Sequence, residues 1–404
     1  MKILLLIADG LGDRPVKELG GKTPLEAAEK PNINRLAEEG MVGLIDPIKP
    51  GIIPGSDTSH LNYLGYDPYK YYTGRGPFEA MGTGLVLKGG DIAFRANFAT
   101  VDESGIVLDR RAGRIREGTS DLAKSLNMKI EDVEILFKEG TEHRGALVLR
   151  GNGISTEVSD NDPHSDNLEP KKIVATSEKG EKTARILNEF YRRSLVILKD
   201  HEINKERRRK GLMEANAILY RGGGQVPILP SFKERHSLTG GFVAAVALVS
   251  GICKLVGLKD YTPAGVTGST DTNIKKKFSA AVEGLREVDF MLVNVKGTDI
   301  AGHDGKGVAK KEFIERIDSA MTDTIMKIKD DILICFTGDH STPASVREHT
   351  SDPVPILLRY PGCRRDGVGK FDEISSKDGY LRLRGNDLID VLLSSANKSD
   401  KYGA

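Results

Sequence analysis

The sequence predicts an α/β protein whose core is a mostly parallel β-sheet flanked by helices, with a smaller α+β domain inserted into it. Three observations support this class. Apolar runs of strand length recur along the chain, helical patterns lie between them, and the middle of the chain changes to short strands and charged helices. Alternation of strands with helices is typical of parallel sheets, whose strands are buried on both faces.

The apolar runs predict the strands of the core. They cover residues 2–8, 289–296, 331–337 and 353–358. Each run is apolar at successive positions, so both faces of the strand would be buried. The helices of the core are predicted from amphipathic patterns over 31–40 and 309–328 and from an apolar pattern over 240–256.

The middle of the chain predicts a second domain. Residues 91–115 and 130–158 have the pattern of short strands with turns, whereas 178–198 and 200–216 have that of charged amphipathic helices. The three glycines 222–224 mark its end. We therefore assign 89–224 to an inserted α+β domain, and 1–88 together with 225–404 to a discontinuous core.

Composition argues against several classes of function. The chain has 59 basic and 58 acidic residues, a formal net charge of +1, so no overall field favours nucleic acid or an anionic membrane. The apolar run Ile3 to Ala8 is too short to span a bilayer or to form the core of a signal peptide. We expect a cytoplasmic protein whose three cysteines are buried free thiols; the sequence is compatible with a homo-oligomer.

An aspartate follows three of the predicted strands. Asp9 follows the first, Asp299 the second and Asp339 the third of these runs. In open α/β sheets ligands collect at the carboxyl ends of the strands. Three carboxylates there would repel one another unless cations neutralise them.

Histidines accompany two of these acids. His303 stands four residues after Asp299, His340 follows Asp339 directly, and His349 comes shortly afterwards. A single Asp-Gly after a strand is usually a turn, and a single histidine is more often a cap or a core residue. The joint arrangement instead predicts a two-metal site, and carboxylate with imidazole favours Mn²⁺ or Zn²⁺ over Mg²⁺.

A loop of small residues, 54–62, supplies a candidate nucleophile. It precedes an apolar stretch and predicts the start of a helix, where Ser56 or Thr58 could simply be a cap. A helix N-terminus also favours anions. A hydroxyl bound to a divalent cation ionises more readily and could attack phosphorus.

These motifs resemble those of the archaeal-type cofactor-independent phosphoglycerate mutases, within the alkaline phosphatase superfamily. The resemblance rests on the opening Asp9-Gly10, on 55–62 (GSDTSHLN), on 299–305 (DIAGHDG), on 337–343 (TGDHSTP) with His349, and on 23–28 (TPLEAA) followed by 31–33 (PNI). The Gly-Asp-His and Asp-x-x-x-His elements are shared across the superfamily. The serine loop and the insert point to the mutase.

The resemblance implies an alkaline-phosphatase-like core and two divalent metal ions, Mn²⁺ or Zn²⁺, with Mg²⁺ or Co²⁺ as alternatives. One ion would be held by Asp9, Ser56, Asp339 and His340, and the other by Asp299, His303 and His349. Ser56 would be phosphorylated during interconversion of 3-phosphoglycerate and 2-phosphoglycerate, a step of glycolysis and gluconeogenesis that would not need 2,3-bisphosphoglycerate. Ser59 is a rival nucleophile, but the alignment on residues 60–62 favours Ser56.

The insert would bind the substrate, exclude water and act as a lid. The resemblance suggests Asp162 as the acid–base group and Asp160 as its support, with an Asx turn as the alternative. Arginines suit the carboxylate and phosphate of the substrate. The proposed substrate contacts are Arg111, Arg114, Arg144, Arg150 and His60. Where relatives have a lysine near residue 240 this chain has Thr239, and Lys254 or Lys275 could replace that lysine.

Three alternatives remain open at the level of sequence. The same core could serve a metal-dependent phosphomonoesterase, which would release inorganic phosphate. It could belong to a non-catalytic metal-binding relative. It could also transfer the phosphoryl group of another small phosphoester, such as a pentose phosphate.

Overall fold

The computed structural model describes residues 1–329, 331–399, 401 and 403. Its strands are β1 (Lys2–Ala8), β2 (Met41–Asp46), β3 (Ile92–Val101), β4 (Val107–Asp109), β5 (Met128–Ile130), β6 (Val133–Glu139), β7 (Arg144–Arg150), β8 (Ala217–Gln225), β9 (Gly240–Val243), β10 (Lys259–Asp260), β11 (Phe290–Val295), β12 (Ile332–Thr337), β13 (Val354–Arg359) and β14 (Leu381–Arg384). Its α-helices are α1 (Pro24–Ala27), α2 (Pro31–Glu38), α3 (Ser56–Tyr63), α4 (Pro68–Tyr71), α5 (Gly76–Gly82), α6 (Thr119–Ser125), α7 (Glu181–Lys199), α8 (Glu202–Arg209), α9 (Phe232–His236), α10 (Ala247–Leu255), α11 (Ile274–Gly284), α12 (Gly297–His303), α13 (Gly307–Thr322) and α14 (Gly385–Ser395). Short 3-10 segments cover Lys17–Leu19, Ala112–Arg114, Glu178–Gly180, Ile325–Lys327 and Ser375–Asp378.

The chain divides into two units. The core unit comprises residues 1–71 and 229–404, and the inserted unit comprises residues 72–228. The inserted domain predicted over 89–224 falls within the second of these, and its substrate-binding and lid roles stay predictions. No helix in the described part of the chain is both long and apolar enough to cross a membrane.

The core unit is built on an eight-stranded sheet with strand order β10-β9-β11-β1-β12-β13-β2-β14. Pairing is parallel from β10 across to β12 and again between β2 and β14, whereas β13 is antiparallel to both of its neighbours. The predicted class, an α/β protein with a mostly parallel sheet flanked by helices, is therefore confirmed. The run predicted over 353–358 is also a strand, although it runs against its neighbours.

The burial of the central strands explains why their positions could be predicted from apolar runs in the sequence. Every residue of β11 and β12 is buried, and so is all of β1 after Lys2. Residues on both faces of these strands therefore leave water, which stabilises the fold by about 25 cal/mol for each Å² of apolar surface removed from water. Such burial selects apolar residues at consecutive positions rather than at alternate ones.

One predicted helix of the core is partly wrong. The apolar stretch 240–256 contains strand β9 at its start, and helix α10 begins only at Ala247. Gly241 is paired with Met291 on β11, and a Cβ at that glycine would lie 2.7 Å from the ring of Tyr261. A continuous apolar run does not by itself distinguish a buried strand from a buried helix. The boundary between β9 and α10 therefore becomes visible only when the pairing of β9 with β11 is known.

The inserted unit contains a six-stranded sheet. Its order is β4-β3-β7-β6-β5, with β8 also paired to β3, and these strands pair antiparallel. The long helix α7 contributes Ile186, Leu187 and Phe190 to a buried apolar cluster together with residues of the sheet. The predicted mixture of short strands and charged helices in this part of the chain is present.

The three glycines expected to mark the end of the insert lie inside strand β8, next to β3. A Cβ at Gly223 would lie 2.4 Å from the ring of Phe94, and one at Gly224 would lie 2.6 Å from the carbonyl oxygen of Thr73. Close packing, rather than a flexible linker, therefore accounts for these two glycines.

Candidate active site and metal-ligand groups

Three neighbouring strands of the core unit end at the same edge of the sheet. Ala8 of β1 is in register with Val295 of β11, and Ile7 is in register with Thr337 of β12. The segments that follow these strands therefore start side by side. They carry the three predicted acids, Asp9, Asp299 and Asp339, all of which are buried.

The first ligand group consists of Asp9, Asp339 and His340, whose ligand atoms all lie within 4.8 Å of one another. The Nε2 atom of His340 is 3.6 Å from Asp9 Oδ1 and 3.5 Å from Asp339 Oδ2. The same nitrogen is 3.2 Å from the Oγ atom of Ser56. The four residues predicted to share one metal ion are thus brought together.

The second ligand group consists of Asp299, His303 and His349, again with ligand atoms within 4.8 Å. Asp299 Oδ1 lies 3.4 Å from the Nε2 atom of His303 and 3.5 Å from that of His349. Asp299 and His303 meet because helix α12 places residues four apart on the same face. These are the residues predicted to hold the other ion.

The chemistry of the two groups fits divalent metal ions. Burial raises the pKa of Asp9 to about 7, and the repulsion from the negative charge of Asp339 adds to this effect. Burial lowers the pKa of His340 to about 3, so its imidazole is neutral at physiological pH, as a metal ligand requires. The Oδ2 atom of Asp339 is buried and has no hydrogen-bond partner among the described residues, which leaves it able to bind a cation.

Ser56 is positioned by the helix that it begins. It is the first residue of α3, and its carbonyl oxygen accepts a hydrogen bond of 2.7 Å from Nδ1 of His60. The Nδ2 group of Asn294 lies 3.3 Å from the other ring nitrogen of His60 and donates to Asp9 Oδ2 at 3.1 Å. His60 is fully buried in the core unit, and its predicted contact with the substrate stays a prediction.

Lys296 is a residue of this site that the sequence analysis missed. Its Nζ atom lies 2.9 Å from Asp9 Oδ1 and 2.7 Å from Asp299 Oδ2, so it touches one acid of each ligand group. Burial opposes its charge, but the two acids outweigh that effect and raise the pKa of Lys296. A charged residue at the end of a buried apolar strand was the available signal.

The lysines expected to compensate for Thr239 lie in other ion pairs. Lys254 is 3.4 Å from Asp260, and Lys275 is 2.7 Å from Asp323. Thr239 itself donates its hydroxyl to a carboxylate oxygen of Asp289 at 2.7 Å.

The inserted unit holds Asp160 and Asp162 in different environments. Asp162 accepts two hydrogen bonds from Arg110, at 2.9 and 2.7 Å, and lies 3.5 Å from Arg221. Burial alone would raise the pKa of Asp162, but these arginines and the backbone N–H of His164 lower it overall. Burial raises the pKa of Asp160, which accepts a hydrogen bond from the backbone of Gly222 at 3.0 Å.

Four arginines of the inserted unit form a cluster. Three of them lie on its sheet, namely Arg95, Arg144 and Arg221, and the fourth, Arg75, directly precedes helix α5. Arg95 on β3 is in register with Arg221 on β8, and Asn97, two residues along β3, is in register with Arg144 on β7. Burial and the charges of the other three arginines lower the pKa of Arg95 to about 10, against the opposing effect of Glu79.

Buried polar atoms beside this cluster have no hydrogen-bond partner among the described residues. They are Arg95 Nε, Asn97 Oδ1 and His143 Nδ1. Burial and the positive charges of Arg144, Arg111 and Arg95 lower the pKa of His143 to about 4. Of these atoms, Arg95 Nε is a donor, and a surplus of positive charge with an unused donor is typical of a site for an anion.

The four arginines predicted to bind the substrate have different positions. Arg144 belongs to the cluster, and Arg111 lies close enough to lower the pKa of His143. Arg114 is exposed and is the last of three consecutive residues, 112–114, whose backbone has positive φ. Arg150 donates to both carboxylate oxygens of Asp91, at 3.0 and 2.8 Å, which gives it a structural partner. Sequence analysis missed Arg95, although a charge within the apolar strand β3 was a usable signal.

A mostly parallel sheet with two carboxylate–imidazole groups and a serine hydroxyl at one edge defines a class of protein: α/β enzymes that bind divalent metal ions and act on phosphoryl groups. Comparison with known proteins narrows the class. Residues 37–204 match the family model described as 2,3-bisphosphoglycerate-independent phosphoglycerate mutase.

Relatives of known sequence and structure match along nearly the full chain. A 2,3-bisphosphoglycerate-independent phosphoglycerate mutase of Picrophilus torridus is 50% identical over 402 residues, covering 100% of this chain and 99% of its own. The solved cofactor-independent phosphoglycerate mutase of Thermoplasma acidophilum is 40% identical with a TM-score of 0.71, covering 98% of this chain and 99% of its own. A solved Pyrococcus horikoshii protein is also 40% identical, with a TM-score of 0.87 and coverage of 100% and 99%. The chain belongs to the family of 2,3-bisphosphoglycerate-independent phosphoglycerate mutases.

Proposed function

We propose that this enzyme interconverts 3-phosphoglycerate and 2-phosphoglycerate through a phosphoserine at Ser56, without 2,3-bisphosphoglycerate. The observation that carries the proposal is the position of the Ser56 hydroxyl, buried at the start of α3 and 3.2 Å from Nε2 of His340. Membership of the mutase family supports the choice of substrate. The arginine cluster supports a small substrate with two anionic groups.

The two ligand groups of the core unit would hold two divalent metal ions, Mn²⁺ or Zn²⁺ in our proposal. Asp9, Asp339 and His340, together with Ser56, would bind one ion, and the group of Asp299 would bind the other. When bound, the ions favour ionisation of a coordinated hydroxyl and neutralise charge on a transferring phosphoryl group. His60 keeps Ser56 in place through its hydrogen bond to the Ser56 carbonyl oxygen.

The proposed reaction has two balanced steps. In the first, Ser56 Oγ loses its proton and bonds to phosphorus, the bond between phosphorus and the C3 oxygen breaks, and that oxygen takes up a proton. Glycerate then presents its C2 hydroxyl, which loses its proton and bonds to phosphorus while the bond to Ser56 Oγ breaks and Ser56 Oγ takes up a proton. The ammonium group of Lys296, in contact with Asp9 and Asp299, is placed to attract phosphoryl oxygens.

Asp160 and Asp162 are proposed to handle the substrate's protons. Two groups whose environments push their pKa values apart can divide such a task. Asp160, with its raised pKa, suits proton transfer at the glycerate oxygens. Asp162, held by two hydrogen bonds from Arg110, suits the supporting role of a permanent carboxylate. This division reverses the roles that the family resemblance suggested for the pair.

The arginine cluster is proposed to bind the carboxylate or phosphate group of phosphoglycerate. Arginine binds such groups through two parallel hydrogen bonds. The buried Nε–H group of Arg95 has no hydrogen-bond partner among the described residues and could donate to such a group. Arg144 and Arg111 are retained from the predicted substrate contacts. Arg114 stays a prediction, and Arg150 is less suited because both carboxylate oxygens of Asp91 accept hydrogen bonds from it.

The test is a coupled assay on the purified protein with Mn²⁺ and 3-phosphoglycerate. Enolase converts 2-phosphoglycerate into a product that absorbs in the ultraviolet, and inorganic phosphate is measured in parallel. We expect absorbance to rise without phosphate release. Release of phosphate without 2-phosphoglycerate would favour a phosphomonoesterase, and no turnover with any divalent ion would favour a non-catalytic relative.

The nucleophile is tested by S56A with S59A as the matched control. Ser59 lies on the same helix and donates its hydroxyl to the carbonyl oxygen of Gly55 at 3.0 Å, so its loss removes a similar group nearby. S56A should lower kcat by at least about 10³-fold, as expected for loss of a covalent nucleophile. S59A should remain within about tenfold of the parent. The reverse ranking would assign the nucleophile to Ser59.

A further inference from the structure

Two of the three ligand histidines are oriented by backbone carbonyl groups. Nδ1 of His303 lies 2.8 Å from the carbonyl oxygen of Arg347, and Nδ1 of His349 lies 2.9 Å from that of Pro54. A carbonyl oxygen can only accept, so each Nδ1 carries a proton, and in the neutral imidazole each Nε2 then presents its lone pair. His340 differs, because its Nδ1 atom faces a side chain, the hydroxyl of Thr342, at 2.9 Å.

The Thr342 hydroxyl joins the two ligand groups. Its Oγ1 atom is 2.9 Å from Asp299 Oδ1 as well as 2.9 Å from His340 Nδ1. The hydroxyl has one proton, and a carboxylate can only accept, so the hydroxyl donates to Asp299. It must then accept from His340, which places the imidazole proton on Nδ1.

The tautomer of His340 depends on this contact. Its Nε2 atom lies 3.5 Å from Asp339 Oδ2 and 3.6 Å from Asp9 Oδ1. Two carboxylates near Nε2 favour a proton on that nitrogen, which would block it as a ligand. The Thr342 hydroxyl, by accepting from Nδ1, instead favours the proton on Nδ1 and leaves the lone pair of Nε2 facing the two carboxylates.

Thr342 is itself held from several sides. It is fully buried, its N–H donates to Gly12 O at 3.0 Å, and its carbonyl oxygen accepts from Lys310 Nζ at 3.0 Å. Glycines leave room for it. A Cβ at Gly10 would lie 2.7 Å from Thr342 Oγ1, and one at Gly302 would lie 2.3 Å from its carbonyl oxygen. These contacts hold the Thr342 backbone in place, and the close packing around its side chain limits where the hydroxyl can lie.

We propose that Thr342 is a positioning residue that sets the tautomer of His340 and orients Asp299, so that one hydroxyl prepares both ligand groups for metal. The inference rests on the proposed two-metal function. Loss of a hydrogen-bonding partner of a metal ligand typically weakens metal binding by about 10- to 100-fold. Because Thr342 contacts a member of each group, its loss should weaken both sites.

The experiment is calorimetric titration of the metal-free protein with Mn²⁺. T342V keeps the bulk of the side chain without the hydroxyl, T342A removes the bulk as well, and T342S keeps the hydroxyl. T324V is the matched control, because Thr324 is also a buried threonine of the core unit and donates to Ala320 O at 2.6 Å. We expect T342V and T342A to raise the Kd by about 10- to 100-fold. T342S and T324V should stay within about threefold of the parent.

A second readout measures the tautomer without metal or activity. Histidine labelled with ¹⁵N reports which ring nitrogen carries the proton, and a His340→Asn variant identifies the signal. The parent and T342S should show the proton on Nδ1, whereas T342V should shift it toward Nε2. If T342V does not fold, as judged by loss of its thermal transition, T342A is judged by the same two criteria.

The outcomes separate this inference from the proposed function. If the parent binds Mn²⁺ but T342V and T342A bind it equally well with an unchanged tautomer, the role of Thr342 is wrong and the two-metal proposal stands. If the parent binds no Mn²⁺ or other divalent ion, the proposed function is overturned together with this inference.

Discussion

The segments that carry the ligand groups are tied together by a buried ion pair, and this pair can be perturbed cleanly. Lys310 on helix α13 lies 2.8 Å from Asp13, and both side chains are 0% exposed. The ammonium group also donates to Gly12 O at 2.9 Å and to Thr342 O at 3.0 Å. Asp13 in turn accepts from the backbone of Ala344 at 3.1 Å. The pair therefore connects the segment after β1 with the segment after β12.

Replacing Lys310 by methionine should destabilise the core unit strongly. Removing one partner of a buried pair leaves an uncompensated charge and costs about 3–5 kcal/mol. For a domain of about 150–250 residues, 1 kcal/mol corresponds to about 2–4 °C in Tm, so we expect a loss of roughly 6–20 °C. Adding D13N removes the unpaired charge and should recover most of that loss, since a neutral buried pair is far less costly than a single charge.

Scanning calorimetry of metal-free protein at pH 7 measures these shifts. The matched control is K275M in the same unit, because Lys275 forms an ion pair of 2.7 Å with Asp323 whose side chains are 58% and 47% exposed. Such surface pairs contribute about 0–1 kcal/mol, so the control should change Tm little. A Tm for K310M within 2 °C of the parent, or a double variant no more stable than K310M, would refute the reasoning.

Three further predictions concern pH, metal and substrate. Burial raises the pKa of Glu373 to about 7, so its contribution to stability is fully present below its unfolded pKa and is lost as pH rises through 7. The free energy of unfolding of E373Q, relative to the parent, should therefore increase by about 2 kcal/mol between pH 5 and pH 8 in urea titrations. Mn²⁺ at 100 times its Kd should stabilise the protein by about 2.7 kcal/mol for each site, and D339N should lose much of this gain in a thermal shift assay. R95M should raise the KM for 3-phosphoglycerate by about tenfold or more in the coupled assay, because a hydrogen bond to a charged group contributes about 1.5–3 kcal/mol.

A specific result would contradict each of these three predictions. A parallel pH dependence for E373Q and its parent would place the titration elsewhere. An equal Mn²⁺ shift in D339N would remove Asp339 from the ligands. The control for R95M is R185M, whose arginine pairs with Glu131 at 2.9 Å and is 58% exposed; an equal rise of KM in both variants would argue against the arginine cluster.

Much of the core unit was predictable from local pattern. Strands such as β1 and β12 are buried on both faces, and this burial leaves a continuous apolar run in the sequence. Acids placed directly after such runs were expected to meet, because parallel strands end at the same edge of a sheet. Asp9 and Asp339 do so, and His340 follows from its position beside Asp339.

The features that the sequence did not reveal depend on partners distant in the chain. Lys296, Arg95 and Thr342 acquire their roles from strand register and from loops that meet only in the folded chain. Likewise, residues 240–243 form a strand because they pair with the neighbouring strand β11. Residue type and spacing thus predicted the kind of chemistry and the candidate ligands that the fold brings together. Long-range pairing decided how those ligands are oriented and which charges surround them, because hydrogen bonds and Coulomb interactions act between neighbours in space rather than in sequence.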